Sequence, residues 1–158
     1  MKDKIMKNQI KLKLLFPTLF FAIIFSLPNA GNGETNPPSC PEPRFTQQAP
    51  PEFYNIKNPL PDNPKNRKKG KLLYQVKAKP MACKHCHGIL GDGKGPLAKG
   101  IDPPPRNFTC AKTINGVPDG QLFWIIKNGS PETEMFSFKK LKDEEIWQII
   151  LYIRQLAK

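Results

Sequence analysis

The chain has 158 residues, 39% of them hydrophobic and 24% charged, which leaves room for one small domain with extensions and no more. Its 25 Lys and Arg against 13 Asp and Glu give a net charge of +12. That excess favours acidic partners, or else simply forms a solvated lysine-rich surface. No internal repeat and no alternating strand pattern runs through it, which argues against a β fold.

Residues 1–33 read as a targeting segment. Lys2, Lys4, Lys7, Lys11 and Lys13 form a basic start, an apolar stretch follows from Leu14 to Leu27, and small residues close it at Ala30, Gly31 and Gly33. This is the grammar of a secretory signal peptide, and the stretch is short against the about 20 apolar residues of a membrane span. An uncleaved N-terminal membrane anchor is the alternative.

Residues 34–62 carry eight prolines, among them Pro37, Pro38, Pro50 and Pro51, which predicts an extended arm without regular helix. The arm is either a loose linker or a wrap around the domain. Phe45, Phe53, Tyr54, Ile56 and Leu60 favour at least partial docking.

The third segment, 63–158, is predicted to be helical. A first helix is expected over 64–76, capped by Asn63, with Pro64 in its first turn and Leu72, Leu73 and Val76 on its apolar face. Gly70 costs about 1 kcal/mol inside it, a cost that a close crossing with another helix would justify. Glycines and prolines crowd 88–118 and predict an irregular loop. A short, nearly all-apolar helix is expected over 120–127, with Asp119 as cap and Asn128-Gly129 as its end. The last helix is expected over 144–156 with Asp143 as cap. Ile146, Ile149, Ile150, Ile153 and Leu156 follow helical spacing there.

Between the first helix and the loop stands Cys83-Lys84-His85-Cys86-His87. C-x-x-C-H is the arrangement that attaches a c-type haem. Two thiols three residues apart can each bond one vinyl group of a porphyrin, and the following histidine can bind the iron. C-x-x-C also serves zinc sites and thioredoxin-like pairs, but a second ligand pair and a βαβ context are both missing. One motif implies one covalent haem, with Cys83 and Cys86 holding it and His87 as proximal iron ligand. His85 reads as a spacer. Haem of this type is attached outside the cytoplasm in bacteria. That agrees with the signal segment, places the protein in the periplasm or an equivalent compartment, and makes nucleic acid a poor partner.

With these residues, 64–156 resembles the class I, monohaem c-type cytochromes. Gly70 and Tyr74 precede C-x-x-C-H, Gly95-Pro96-Leu97 is similar to the family's Gly-Pro-x-Leu step, and Met135 precedes a closing helix with Trp147 and Tyr152. The resemblance implies a small all-α fold of three to five helices around one haem. It implies that the first and last helices cross, with Gly70 and Tyr74 meeting the stretch from Ile149 to Tyr152. It also implies that the Pro96 carbonyl accepts a hydrogen bond from His87. The Pro-rich arm has no counterpart in the minimal family fold.

Met135, 48 residues after His87, is the leading distal ligand, against a gap-filling core methionine. Phe136 stands where the family usually has proline. Cys40 and Cys110 have two readings: a disulfide stapling the arm to the loop, or a Cys110 thiolate on the iron; intermolecular pairing or free thiols are also open. Arg106, after three prolines, either pairs with a haem propionate or is an exposed charge. Trp124 either packs on the porphyrin or fills the core.

The function expected is an exported carrier of single electrons between redox partner proteins, through Fe(III)/Fe(II) exchange, with acidic docking surfaces on those partners. No convergent acid, base or second metal cluster is visible, so independent enzyme activity is not expected. The alternatives are a haem protein with a weak or cysteine distal ligand that binds nitric oxide or carbon monoxide, and an electron-entry subunit of a larger redox enzyme.

Overall fold

The computed structural model describes residues 40–157. The expected targeting segment and the first residues of the arm lie outside the described residues. Among the described residues there are six α-helices and no strand: α1 (Pro51–Tyr54), α2 (Pro64–Leu72), α3 (Lys84–His87), α4 (Ala111–Ile114), α5 (Asp119–Asn128) and α6 (Asp143–Leu156). None of these helices is long and apolar enough to cross a membrane.

Helix α2 begins where the sequence predicts. Pro64 occupies the first turn, and the Asn63 side chain accepts a hydrogen bond from the Asn66 N–H at 2.9 Å. The helix continues as a π-helical stretch, Leu73–Lys77, in which the Ala78 N–H reaches back five residues to the Leu73 carbonyl at 3.0 Å. Leu73 lies on its buried face as expected, but Leu72 and Val76 do not. Gly70, Leu73 and Tyr74 are buried, whereas Leu72 and Val76 are exposed. The reason is helical geometry: positions i, i+3 and i+4 share a face, and counted from Gly70 those are 73 and 74.

Gly70 sets the crossing of α2 and α6. A Cβ placed on it would lie 1.9 Å from the Gln148 carbonyl oxygen, so the two backbones meet with no side chain between them. Tyr74, one turn later, meets Tyr152 edge-on, with ring centroids 5.2 Å apart. Ile146, Ile149 and Ile150 of α6 are almost wholly buried beside this contact.

The caps of α5 and α6 sit one residue earlier than expected. Pro118 precedes α5, and Asp119 is its first helical residue. The Asp119 carboxylate instead binds Arg154 at 2.6 Å and accepts the Asn58 N–H at 3.3 Å, tying α5 to α6 and to the arm. Lys142 precedes α6, and its N–H is accepted by the Glu145 carboxylate at 2.8 Å, the backward bond of a capping box. Asp143 pairs with Lys127 of α5 at 2.6 Å.

The arm wraps the domain, and it contains a helical turn where none is expected. Proline at the first position of α1 lacks only an N–H that would have no helical partner, so Pro51 starts the turn rather than preventing it. Phe53 stacks on Phe123, which stacks on Trp147 at 4.3 Å. Gln121 of α5 accepts the Ala49 N–H at 2.6 Å and donates to the Gln47 carbonyl at 2.8 Å. The expected irregular loop likewise holds a turn, α4, whose Ile114 is fully buried.

Replacing Gly70 by alanine forces two helical backbones apart. We expect Gly70→Ala to cost about 3 kcal/mol or more, the upper end of overpacking penalties, in denaturant unfolding. An unchanged midpoint would contradict the crossing described here.

Candidate haem site

The C-x-x-C-H motif is a single helical turn. The His87 N–H donates to the Cys83 carbonyl at 2.9 Å, and Gly88 leaves the turn with φ 81°, a backbone region natural to glycine. The Tyr74 hydroxyl donates to the Gly88 carbonyl at 2.8 Å, so the α2–α6 crossing also anchors the end of this turn. Cys83, Cys86 and His87 all line one cavity of about 620 Å³. Burial pushes the Cys83 thiol up to about 12 and raises that of Cys86. Reactive C-x-x-C redox pairs show the opposite, a lowered thiol. Among the described residues, no three His, Cys, Asp or Glu side chains gather as a metal site.

His87 is held on two sides by one strap, residues 104–108. Its Nδ1–H donates to the Arg106 carbonyl at 3.0 Å, which leaves the Nε2 lone pair free for a metal. The Phe108 ring stacks on the imidazole, with centroids 4.4 Å apart and planes 19° from parallel. Burial above all lowers the His87 pKa to about 4, with the Arg44 and Arg106 charges adding to the effect and the Arg106 carbonyl opposing it. The ring is therefore neutral at ordinary pH, the form that ligates iron.

The carbonyl beside His87 is that of Arg106 and not, as expected, that of Pro96. The Gly-Pro step bends back under the cysteine turn instead. The Gly95 N–H donates to the Cys86 carbonyl at 3.0 Å and the Leu97 N–H to that of His85 at 2.8 Å. A Cβ on Gly95 would lie 2.3 Å from the His85 carbonyl oxygen, and Pro96 itself is exposed.

Met135 lines the same cavity as His87, together with apolar residues that include Leu122, Ile126, Ile149 and Ile153. Its loop is shaped without the expected proline. The Ser130 N–H donates to the Met135 carbonyl at 3.0 Å, and the Thr133 hydroxyl accepts the Met135 N–H at 3.1 Å while donating to the Ser130 carbonyl at 2.8 Å. Gly129, at φ 85°, opens the loop, and a Cβ there would meet the Met135 carbonyl oxygen at 2.7 Å. Trp124 takes neither of its expected places: it is half-exposed and does not line the cavity.

A sequence profile described as Cytochrome c matches residues 67–157. The chain belongs to the cytochrome c family. Its cofactor is accordingly a covalently bound haem c, and the cavity suits one: apolar walls, a cysteine pair at the edge and a neutral buried histidine. The chain is also similar to a solved structure from Kuenenia stuttgartiensis, described as a reducing HAO-like protein complex. The likeness has a TM-score of 0.55 and 29% identity, over 65% of this chain and 50% of that one. This cytochrome c thus spans about half the length of the solved chain it matches. No curated protein matches it.

The arm of this cytochrome c supplies cavity residues that the sequence reading does not identify. Arg44, Phe45, Thr46 and Gln47 line the cavity, and Phe45 is 88% exposed beside it. A signal for them exists. Cys40 and Cys110 form a disulfide, and once that pair is joined the residues just after Cys40 must lie near those just before Cys110. The bond also takes Cys110 out of the set of iron ligands, and neither sulfur lines the cavity. Arg106 is neither a free surface charge nor a lone residue. Its guanidinium donates to Thr46 Oγ1 at 2.8 Å and pairs with Glu42 at 3.4 Å.

The disulfide joins residues 70 apart in sequence, a loop for which chain entropy predicts a stabilisation of about 4 kcal/mol. We expect the double variant Cys40→Ser/Cys110→Ser to lose roughly that amount in denaturant unfolding while keeping its haem. Unchanged stability would mean that the arm does not depend on the bond.

Proposed function

We propose that this cytochrome c is an exported monohaem carrier of single electrons. Cys83 and Cys86 hold the haem, His87 is the proximal ligand and Met135 the distal one. The observation that supports this reading most is the convergence of His87, the cysteine pair and Met135 on one apolar cavity. Bound haem supplies one-electron Fe(III)/Fe(II) exchange, and the chain does the rest. His87, fixed by the Arg106 carbonyl and the Phe108 ring, keeps one orientation in both oxidation states. The Met135 thioether would supply the second protein ligand to the iron and would favour its ferrous form. The isoleucines of α6 exclude water. His87 and Met135, if both bind the iron of a seated haem, would leave it no position for a substrate, which favours a carrier over an enzyme. Arg44 and Arg106 suit the haem propionates.

The net positive charge supports acidic docking surfaces on the redox partners, and the haem motif together with the basic-then-apolar leader supports a periplasmic location. A second reading, an electron-entry subunit of a larger redox enzyme, is favoured by the likeness to a protein of a redox complex.

Optical redox titration with and without carbon monoxide tests the ligand assignment. The wild type is expected to titrate as a single one-electron couple, and its reduced form is expected to ignore carbon monoxide. Met135→Ala is expected to bind carbon monoxide and to titrate at a lower potential. Carbon monoxide binding by the wild type would instead favour the gas-binding alternative.

A further inference from the structure

The arm touches the strap that holds His87 through Arg44, through Thr46 and through the Glu42 carboxylate. Glu42 stands two residues after Cys40. Its side chain is only 8% exposed, yet it has several polar partners. Oε1 accepts the Asn107 N–H at 2.8 Å. Oε2 lies 3.4 Å from Arg106 Nη1 and 3.8 Å from Arg44 Nη2. The Glu42 N–H donates to the Thr113 hydroxyl at 3.1 Å, next to the Cys110 end of the disulfide. Asn107 lies between the two residues that hold the imidazole, Arg106 through its carbonyl and Phe108 through its ring.

The charges do not balance. Two cavity-lining guanidiniums, each with a side chain 17% exposed, share one carboxylate that does not itself line the cavity. Burial disfavours the Arg106 cation, Arg44 disfavours it further, and Glu42 opposes both. Such a cluster is electrostatically effective because little water screens it.

We propose that Glu42, carried on the disulfide-tethered arm, is a positioning residue of the haem site: it fixes the 106–108 strap that orients His87 and lowers the iron's potential with its negative charge. The inference rests on the haem reading above. Tethering the arm at Cys40 places this carboxylate, so the Pro-rich extension is part of the electron-transfer site. A negative charge beside two cavity-lining cations, in poorly screened surroundings, would favour the ferric form of a haem bound there. Removing it leaves the two arginines unopposed, which favours ferrous iron.

The test is the midpoint potential of purified, haem-loaded Glu42→Gln against wild type, with absorption spectra of both states. The expected result is an upward shift with the ligand bands retained. A purely structural role predicts the reverse, because a loosened strap admits water and water favours ferric iron. An unmoved or lowered potential overturns the proposal. If Glu42→Gln does not accumulate as a haem protein, Arg44→Gln decides. Loss of that cation is expected to lower the potential, and an unmoved or raised value overturns the proposal. Wild-type protein without covalent haem would remove the haem reading and this inference with it. Haem-bearing wild type with a Glu42→Gln variant that does not shift upward would remove this inference alone.

Discussion

The site depends on two helix backbones touching. Because Gly70 presents no side chain to the Gln148 carbonyl, α2 lies directly on α6. That closeness brings Tyr74 against Tyr152 and points its hydroxyl at the Gly88 carbonyl, the residue that ends the cysteine turn. The turn in turn sets Cys83, Cys86 and His87 along one cavity, and the α6 residues Ile149 and Ile153 form part of its apolar wall. Any larger residue at position 70 would have to displace a carbonyl rather than a flexible side chain, and the effect would pass along this chain of contacts to the haem attachment point.

Around that frame the protein builds the site from loops, and each loop is fastened by backbone bonds rather than by regular structure. The 104–108 strap is clasped by Glu42 and Arg44 from the arm, and the Phe108 N–H donates to the Gly91 carbonyl at 2.6 Å. The Met135 loop is closed by Ser130 and Thr133. Such fastening suits a one-electron site. Ligands that stayed in place between oxidation states would keep reorganisation small, and the hydrogen bonds of these loops to backbone would serve to hold them.

Much of this was legible in the residues. The apolar periodicity of α6, the Asn63-Pro64 start of α2 and the cost of glycine at position 70 all point to the helices and to their crossing. C-x-x-C-H points to the haem. The elements that were missed share a cause: their signals lie in tertiary contacts. Nothing local tells Pro96 from Arg106 as the carbonyl partner of His87, because the choice depends on how the glycine-rich loop folds back at Gly95. Single turns such as α1 and α4 are too short for periodicity to register. Leu72 and Val76 look like core residues by composition, and only the position of the crossing leaves them outside the face that Leu73 and Tyr74 share. Glu42 became readable only once Cys40 was joined to Cys110.

The two cysteine pairs have different fates, one holding haem and the other tethering the arm. Mass spectrometry of proteolytic fragments from protein purified without reductant tests this most directly. One haem is expected on the fragment containing Cys83 and Cys86, with a disulfide-linked pair of fragments containing Cys40 and Cys110. Free thiols at Cys83 and Cys86, or a disulfide that joins either of them to Cys40 or Cys110, would contradict it.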